Sequence, residues 1–201
     1  MTAQIPDTIL INNKNYSIVG VNGGELFTPQ SLGIEPVAIM SACWRGYVCQ
    51  YKISDNKLIL DELQLSFGID DTSGSNREFV PQVAPPINGV NPMGKHPSFS
   101  NIYEGLNFHI PFTGGILAGE GFIQTLYVHM GFHPAWKYQT VYELIFEKGN
   151  VQELRDVSIA VEELRSKMMK LPLEPDILKS NKAEVEAWIE KTFKLDYDLK
   201  P

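Results

Sequence analysis

Arg45 is the residue whose type and place most need an explanation, because it interrupts an otherwise apolar run. The stretch 37–53 predicts one buried strand, on which Arg45 shares a face with Tyr47 and both cysteines. Burying an unpaired guanidinium costs several kcal/mol, so the side chain needs partners. Three arrangements are open: Gly46 forms a β-bulge that turns Arg45 to solvent, Arg45 anchors a carboxylate or backbone carbonyls, or Arg45 faces a cleft and holds an anion.

A carboxylate partner for Arg45 is expected among the acidic residues in or beside predicted strands, which are Glu104, Glu120 and Glu143. In the cleft arrangement, the ligand-binding residues are Arg45, Tyr47, His129 and Glu143. Arginine would grip an anion there, and histidine would move a proton. The anchor arrangement is the favoured one of the three, and it predicts that the substitution Arg45→Ala destabilises the fold.

The histidines do not predict a metal site. His129 and His133 are four residues apart, which would suit metal binding on a helix. They flank Gly131 and lead into a turn, so the pattern predicts a strand followed by a loop. We expect His129 to be a hydrogen-bonded sheet residue and His133 a loop residue, with no metal bound. The spacing of the four histidines, which include His96 and His109, does not identify any of them as a general base.

Sequence motifs for catalysis or cofactor binding are absent from the chain. It contains no G-x-S-x-G, phosphate loop, dinucleotide fingerprint or H-E-x-x-H. The glycine-rich stretch 112–122 predicts a hairpin connection whose glycines take positive φ. Cys43 and Cys49 would lie roughly 20 Å apart on a continuous strand, too far for a disulfide, so both are expected to be buried and reduced. No cofactor is expected, and whether the chain is an enzyme is left open.

Composition and charge limit the classes of partner. The 201 residues, 43% of them hydrophobic, suit one domain with a real core. With 24 acidic and 17 basic residues, the formal net charge is −7, which disfavours binding to nucleic acid. No apolar run reaches the length of about 18 residues that a membrane helix needs, and the first residues do not read as a secretion signal. We therefore expect a cytoplasmic protein with no membrane partner.

Two hairpins are predicted where strand-forming runs meet turn residues, and their turns are Asn12 to Asn15 and Asp55-Asn56. A further strand is predicted in 138–151; its end, Lys148 to Asn150, is a turn that leads into the helical end. Further strands are predicted in 102–112 and in 121–132, since both segments are rich in β-branched and aromatic residues.

The remaining segments are a long loop and a helical end. Glycine, proline, serine and asparagine dominate 70–101, which predicts either a mobile insertion or a lid or partner-binding loop. Helices are predicted in 156–171, with Asp156 or Ser158 as the N-cap, and near 180–195. The apolar stripe of the first helix is expected at Val157, Val161, Leu164, Met168 and Leu171.

Strands first and helices last predict an α+β fold, mainly an antiparallel β-sheet meander with C-terminal helices. The expected organisation is a single domain, 1–201. Its β core comprises 1–69 and 102–151, the long loop insertion is 70–101, and the helical C-terminal region is 152–201.

Two stretches carry a family resemblance. "ACWRGYVCQYKISDNKLIL", followed downstream by "YVHMGF" and "YELIFEKGNV", resembles a family of bacterial proteins that has no established activity. In these proteins a Trp-Arg-Gly-Tyr strand leads into a hairpin, and a Tyr-Val-His-Met-Gly segment precedes the last strands. The resemblance covers 35–65 and 106–151 and implies a bacterial setting without a mechanism. Because both patches are distinctive, they are expected to meet in space, with Arg45 near His129.

Two functions are carried forward from these observations. The favoured one is a small binding protein of the inhibitor or immunity type that masks a protein partner. Its support is the negative charge, the long polar loop and the absence of catalytic motifs. The alternative is an enzyme or small-anion-binding protein with a cleft around Arg45 and His129. A homo-oligomer that uses Trp136 and Tyr138 as exposed contact residues is a third, plainer arrangement.

Overall fold

The computed structural model describes residues 2–71, 78–94 and 98–168, together with Tyr197. The described strands are β1 (Thr8–Ile11), β2 (Lys14–Asn22), β3 (Tyr47–Ser54), β4 (Lys57–Leu65), β5 (Gly68–Asp71), β6 (Glu78–Pro81), β7 (Asn101–Tyr103), β8 (Phe108–His109), β9 (Gly114–Phe122), β10 (Tyr138–Glu147) and β11 (Asn150–Asp156). One α-helix, α1 (Ser158–Met168), follows them. Short 3-10 helices occur at Pro29–Leu32, Gln124–Leu126 and Ala135–Lys137.

Both predicted hairpins are confirmed, and their turns explain why. Asn12 and Asn13 have φ of 49° and 62°, and Asp55 and Asn56 have φ of 48° and 62°. Asparagine and aspartate tolerate this left-handed conformation, which matches the twist of the flanking strands. The predicted turn at Lys148 and Gly149 also has positive φ, of 49° and 80°, but it leads into strand β11. The prediction that residues from 152 onward are helical is therefore wrong up to Asp156.

Nine of the described strands form one sheet in the order β11-β10-β9-β2-β1-β3-β4-β7, with β8 also paired to β4. Neighbours are antiparallel except for β1 and β3, which run parallel. The sheet curls until β11 meets β4, where Asn150 pairs with Lys57. The β-dominated class is therefore confirmed, but the strands do not follow one another as a simple meander.

The interior of the curled sheet is filled with side chains. Large residues that are fully buried there come from nearly every strand, among them Ile9, Ile18, Tyr51, Leu60, Ile116 and Phe146. A second, smaller core lies on the outside of β9 and β10, where Trp136, Val141 and Val161 pack together. Helix α1 thus covers one outer patch of the sheet.

Several predicted boundaries are wrong, for local reasons. Residues 37–46 do not extend β3, which begins only at Tyr47, because Gly46 turns the chain with a φ of 73°. The glycine-rich stretch is strand β9 and not a hairpin connection. The segment 123–132 is a 3-10 turn followed by loop, and Gly131 has a φ of 64°.

The helical end is only partly described. In the described residues there is one helix, α1, and Asp156 accepts a hydrogen bond from the Ser158 N–H at its start over 2.9 Å. Val161 is buried as predicted, but Leu164 is exposed. The second predicted helix, 180–195, lies outside the described residues. No helix in the described ranges is long and apolar enough to cross a membrane.

The predicted loop insertion contains ordered structure. β5 pairs with β6 in a two-stranded hairpin, and the chain then returns to the core, where Ala84 and Ile87 are buried. Asn101 Oδ1 accepts a hydrogen bond from the Ala84 N–H over 2.8 Å, and the Tyr103 hydroxyl donates to Pro85 O over 2.7 Å. Only part of 70–101 is thus insertion-like, since its middle contributes to the core.

Candidate functional site

Arg45 anchors a carboxylate, as the favoured arrangement predicts, but its partner is Asp7. Nη1 donates to Asp7 Oδ2 over 3.0 Å and Nη2 donates to Oδ1 over 2.8 Å, which is a bidentate pair. The Cys49 N–H also donates to Asp7 Oδ1, over 2.8 Å. Asp7 thereby connects the segment before β1 to the turn before β3 and to β3 itself.

Two aromatic rings lie close to the guanidinium. The Tyr47 ring centroid lies 4.8 Å from Arg45 Cζ, and the Phe132 centroid lies 5.6 Å away. Burial lowers the pKa of Arg45, and the attraction of Asp7 outweighs this and raises it overall. The guanidinium is therefore permanently charged and already engaged by one carboxylate.

The two distinctive stretches of the sequence meet, although through a different residue than expected. The segment that carries His129 contacts Arg45 through Phe132, and the Gln4 N–H donates to Gly131 O over 2.8 Å. His129 itself is exposed and lies edge-on to Tyr127, with 4.8 Å between ring centroids. It is a loop residue, so the predicted place in the sheet is wrong.

Glu143 lies in a third place. On β10 it accepts a hydrogen bond from the Tyr197 hydroxyl over 3.3 Å and forms an ion pair with Arg155 at 3.6 Å. The four residues predicted to bind a ligand are therefore divided: Arg45 and Tyr47 are in contact, while His129 and Glu143 each contact a different group of side chains. Their ligand-binding role stays a prediction, without a common cleft to support it.

The cysteines are buried thiols that lie among these groups. Cys43 donates to Tyr47 O over 3.2 Å, and Cys49 is completely buried in the interior. Burial raises the pKa of both thiols. Both side chains are therefore held as neutral thiols, and neither is activated as a nucleophile.

His133, which the sequence places in a loop, proves to be the unusual histidine. Its ring lies against Phe122 and Tyr127, with centroids 4.7 Å and 5.1 Å away. Nδ1 is 3.4 Å from Lys137 Nζ, and Nε2 is buried with no hydrogen-bond partner among the described residues. Burial, and then the charge of Lys137, lowers the pKa of His133 to about 4.

The described side chains do not assemble a metal centre or a deep cleft. No group of three or more His, Cys, Asp or Glu residues within the described ranges could hold a metal ion. Two shallow grooves occur on the surface. One, of about 360 Å³, runs over β1, β3 and β4, and the other, of about 270 Å³, lies between Phe27 and Phe108. Neither is lined by Arg45 or His129.

The hairpin of β5 and β6, which we term the arm, exposes apolar side chains to solvent. Ile69 and Val80 lie opposite each other across its two strands and are 54% and 45% exposed. In the described part of the chain, no further strand pairs with either strand of the arm. Val83 follows at 81% exposure. The sequence contains little signal for this hairpin, because the apolar residues Phe79, Val80 and Val83 do not alternate with polar ones.

Trp136 and Tyr138 were expected to be exposed contact residues, and this is wrong because both side chains are buried in the smaller core with Val141 and Val161. An oligomer would therefore have to use other residues.

Comparisons with protein-family models, with curated proteins and with solved structures find no match for this chain.

Proposed function

We propose that this protein is a protein-binding module, of the inhibitor or immunity type, that masks a partner through the arm. The observation that carries the proposal is the exposed apolar pair Ile69 and Val80 on a hairpin that has no covering layer among the described elements. An isolated two-stranded hairpin is marginally stable in water. A partner that covered its apolar face would stabilise it and bind through it.

Charge supports a basic partner. The arm carries Asp70, Asp71 and Glu78 in its sequence, and the chain as a whole has a formal net charge of −7. Net negative charge attracts positively charged proteins and speeds their association. The arm's exposed apolar side chains would then provide the contact that determines the lifetime of the complex.

The alternative of an anion-binding or catalytic cleft has less support. Its central residue, Arg45, already donates two hydrogen bonds to Asp7. An anionic ligand would have to displace a bidentate carboxylate that the fold itself supplies.

The experiment is an affinity capture from the protein's own source cells, read by native mass spectrometry. The test variant is Ile69→Thr/Val80→Thr, which keeps two β-branched side chains while removing apolar surface. The matched control is Leu154→Thr, since Leu154 lies on strand β11 with a similar exposure of 46%.

We expect the unchanged protein and the Leu154→Thr variant to capture the same stoichiometric protein, and the double variant to lose it. Equal capture by the double variant would refute the role of the arm. A protein recovered without a protein partner but with a bound small anion would favour the alternative around Arg45 instead.

A further inference from the structure

The groove over β1, β3 and β4 is a second candidate binding site, separate from the arm. It lies on the outer face of the sheet and has a volume of about 360 Å³. Ile5 and Pro6 form apolar wall on one side, and Phe99 forms it on another. A small groove with apolar walls and a few polar groups is the usual form of a ligand or anchor-residue site.

The polar groups of this groove lie in a row across three strands. Thr8 on β1 is paired in register with Gln50 on β3, and Gln50 is paired with Glu62 on β4. Cross-strand neighbours in register present their side chains on the same face of a sheet. Gln50 Nε2 donates to Glu62 Oε1 over 3.3 Å, which fixes the position of the carboxylate.

Glu62 is the one charged residue among the described residues that line the groove. It forms no ion pair with any described cation, and Lys52, on the strand paired with β4, is engaged by Asp61 at 2.7 Å. Burial raises the pKa of Glu62, and the negative charges of Glu104 and Asp61 raise it further. A carboxylate in this environment is stabilised by a cation that enters the groove.

A hydrogen bond links the segment that lines the groove to the base of the arm. Ser98 and Phe99 line the groove, and the next residue, Ser100, accepts a hydrogen bond from the Phe67 N–H over 2.9 Å. Phe67 directly precedes β5, the first strand of the arm. This contact places the base of the arm next to the segment that lines the groove.

We propose that the groove receives an arginine side chain of the partner protein, with Glu62 as its counter-ion. The guanidinium would donate to the Glu62 carboxylate, the aliphatic stem would lie against Phe99 and Ile5, and the Gln64 amide would accept or donate at the rim. Arginine fits better than lysine because its planar fork matches a fixed carboxylate. This inference rests on the proposed function and names the chemistry of the partner.

The test uses a defined probe and the full chain. N-acetyl-arginine-methylamide is titrated into isotope-labelled protein, and the side-chain amide signals of Gln50 and Gln64 are followed by NMR. The neutral isostere N-acetyl-citrulline-methylamide is the ligand control. Glu62→Gln is the test variant, and Glu25→Gln, at an exposed residue outside this groove, is the matched control.

We expect saturable shifts with the arginine probe, unchanged in Glu25→Gln and weakened by roughly tenfold in Glu62→Gln or with the citrulline probe. Equal binding of the two probes, or equal binding by Glu62→Gln, would overturn the inference. Tighter binding of n-butylamine, which has an ammonium and no guanidinium, than of the arginine probe would also overturn it, since the groove would then be a site for amines.

The proposals for the arm and for the groove can be refuted independently of each other. Arginine-probe binding that persists in the Ile69→Thr/Val80→Thr variant supports the groove even if partner capture does not depend on the arm. Arm-dependent partner capture that is unchanged in Glu62→Gln, together with no probe binding, would refute the groove and leave the proposed function standing.

Discussion

Replacing Arg45 with alanine removes both hydrogen bonds that the guanidinium donates to Asp7. The Asp7 carboxylate is mostly buried, with 11% of the side chain exposed, so it would lose its counter-ion without gaining full hydration. We expect the free energy of unfolding to fall by about 2 to 3 kcal/mol, below the value for a fully buried pair because a third of Arg45 is exposed. Urea denaturation measures this change.

The double variant Asp7→Asn/Arg45→Ala is the control for this prediction. Because asparagine carries no charge, we expect it to lose less stability than the sum of the two single variants. The anchor interpretation would be wrong if Arg45→Ala kept its unfolding midpoint and instead lost the binding of a small anion.

Protonation of His133 should couple stability to pH. The folded protein holds the pKa of His133 at about 4, below the ordinary value of 6.5. Lysine has donors only, so Nδ1 accepts from Lys137 and the ring proton lies on the buried Nε2. Between these two pKa values the unfolded chain binds the proton more tightly, so stability is complete above about pH 6.5 and falls towards pH 4.

The loss should amount to about 1 to 2 kcal/mol between pH 7 and pH 4, since partial exposure reduces the full effect of the shift. His133→Phe removes the titrating group and should flatten this part of the pH profile, whereas His129→Gln should leave it unchanged. Chemical denaturation at several pH values measures both. A profile that is as steep in His133→Phe as in the unchanged protein would contradict the prediction.

At the scale of elements, closure of the sheet depends on the turn between β10 and β11. The Leu58 N–H donates to Gly149 O over 2.8 Å, so the turn joins β11 to β4. A Cβ added to Gly149 would lie 2.3 Å from Ile110 O. We expect Gly149→Ala to lower the free energy of unfolding by about 3 kcal/mol. About 1 kcal/mol of this reflects the positive φ, and the rest reflects displacement of the junction between β11 and β4 by the added methyl group.

Gly105→Ala is the matched control for Gly149→Ala. Gly105 also has a positive φ, 65°, but an added Cβ would meet nothing within 4 Å. It should therefore cost only about 1 kcal/mol. Equal losses of unfolding free energy in the two variants would show that backbone conformation alone, and not closure of the sheet, determines the effect at Gly149.

Local turn chemistry was readable from the sequence, but close approach between strands was not. The turns at Asn12-Asn13 and Asp55-Asn56 follow from residues that tolerate positive φ. β9 was missed because its glycines suggested a loop. Position 119 instead requires glycine because a Cβ there would lie 2.9 Å from the Tyr138 ring on β10. Because this contact is with another strand, it cannot be predicted from the residues that flank Gly119 in the sequence.

The candidate site shows the same division. A need for a partner at Arg45 could be predicted from its apolar surroundings, since burying a lone charge is costly. The partner, Asp7, could not, because it lies 38 residues away and the parallel pairing of β1 with β3 brings it near. The row of Thr8, Gln50 and Glu62 depends on the same pairing, so the groove was equally invisible in the sequence.

At the scale of the whole molecule, the interior is filled with side chains, so the candidate binding features lie on the surface. Side chains such as Tyr51, Leu60 and Phe146 occupy the space that a ligand would need inside a curled sheet. The groove and the arm both lie outside this core, and they adjoin at Phe67 and Ser100. A rigid, closed scaffold that presents one apolar hairpin beside an acidic groove suits a binding surface for a basic partner better than it suits an enclosed reaction site.

This division predicts a gradient of local stability. β9 and β10 contribute fully buried residues such as Ile116 and Val141, whereas β5 and β6 form a ladder only with each other within the described chain. Amide hydrogens of the arm should therefore exchange by local opening, roughly a hundredfold faster than those of β9 and β10, in hydrogen exchange read by mass spectrometry. Exchange of the arm at the rate of β9 would show that it unfolds only with the whole domain. Its apolar face would then not be a locally mobile element that a partner could stabilise.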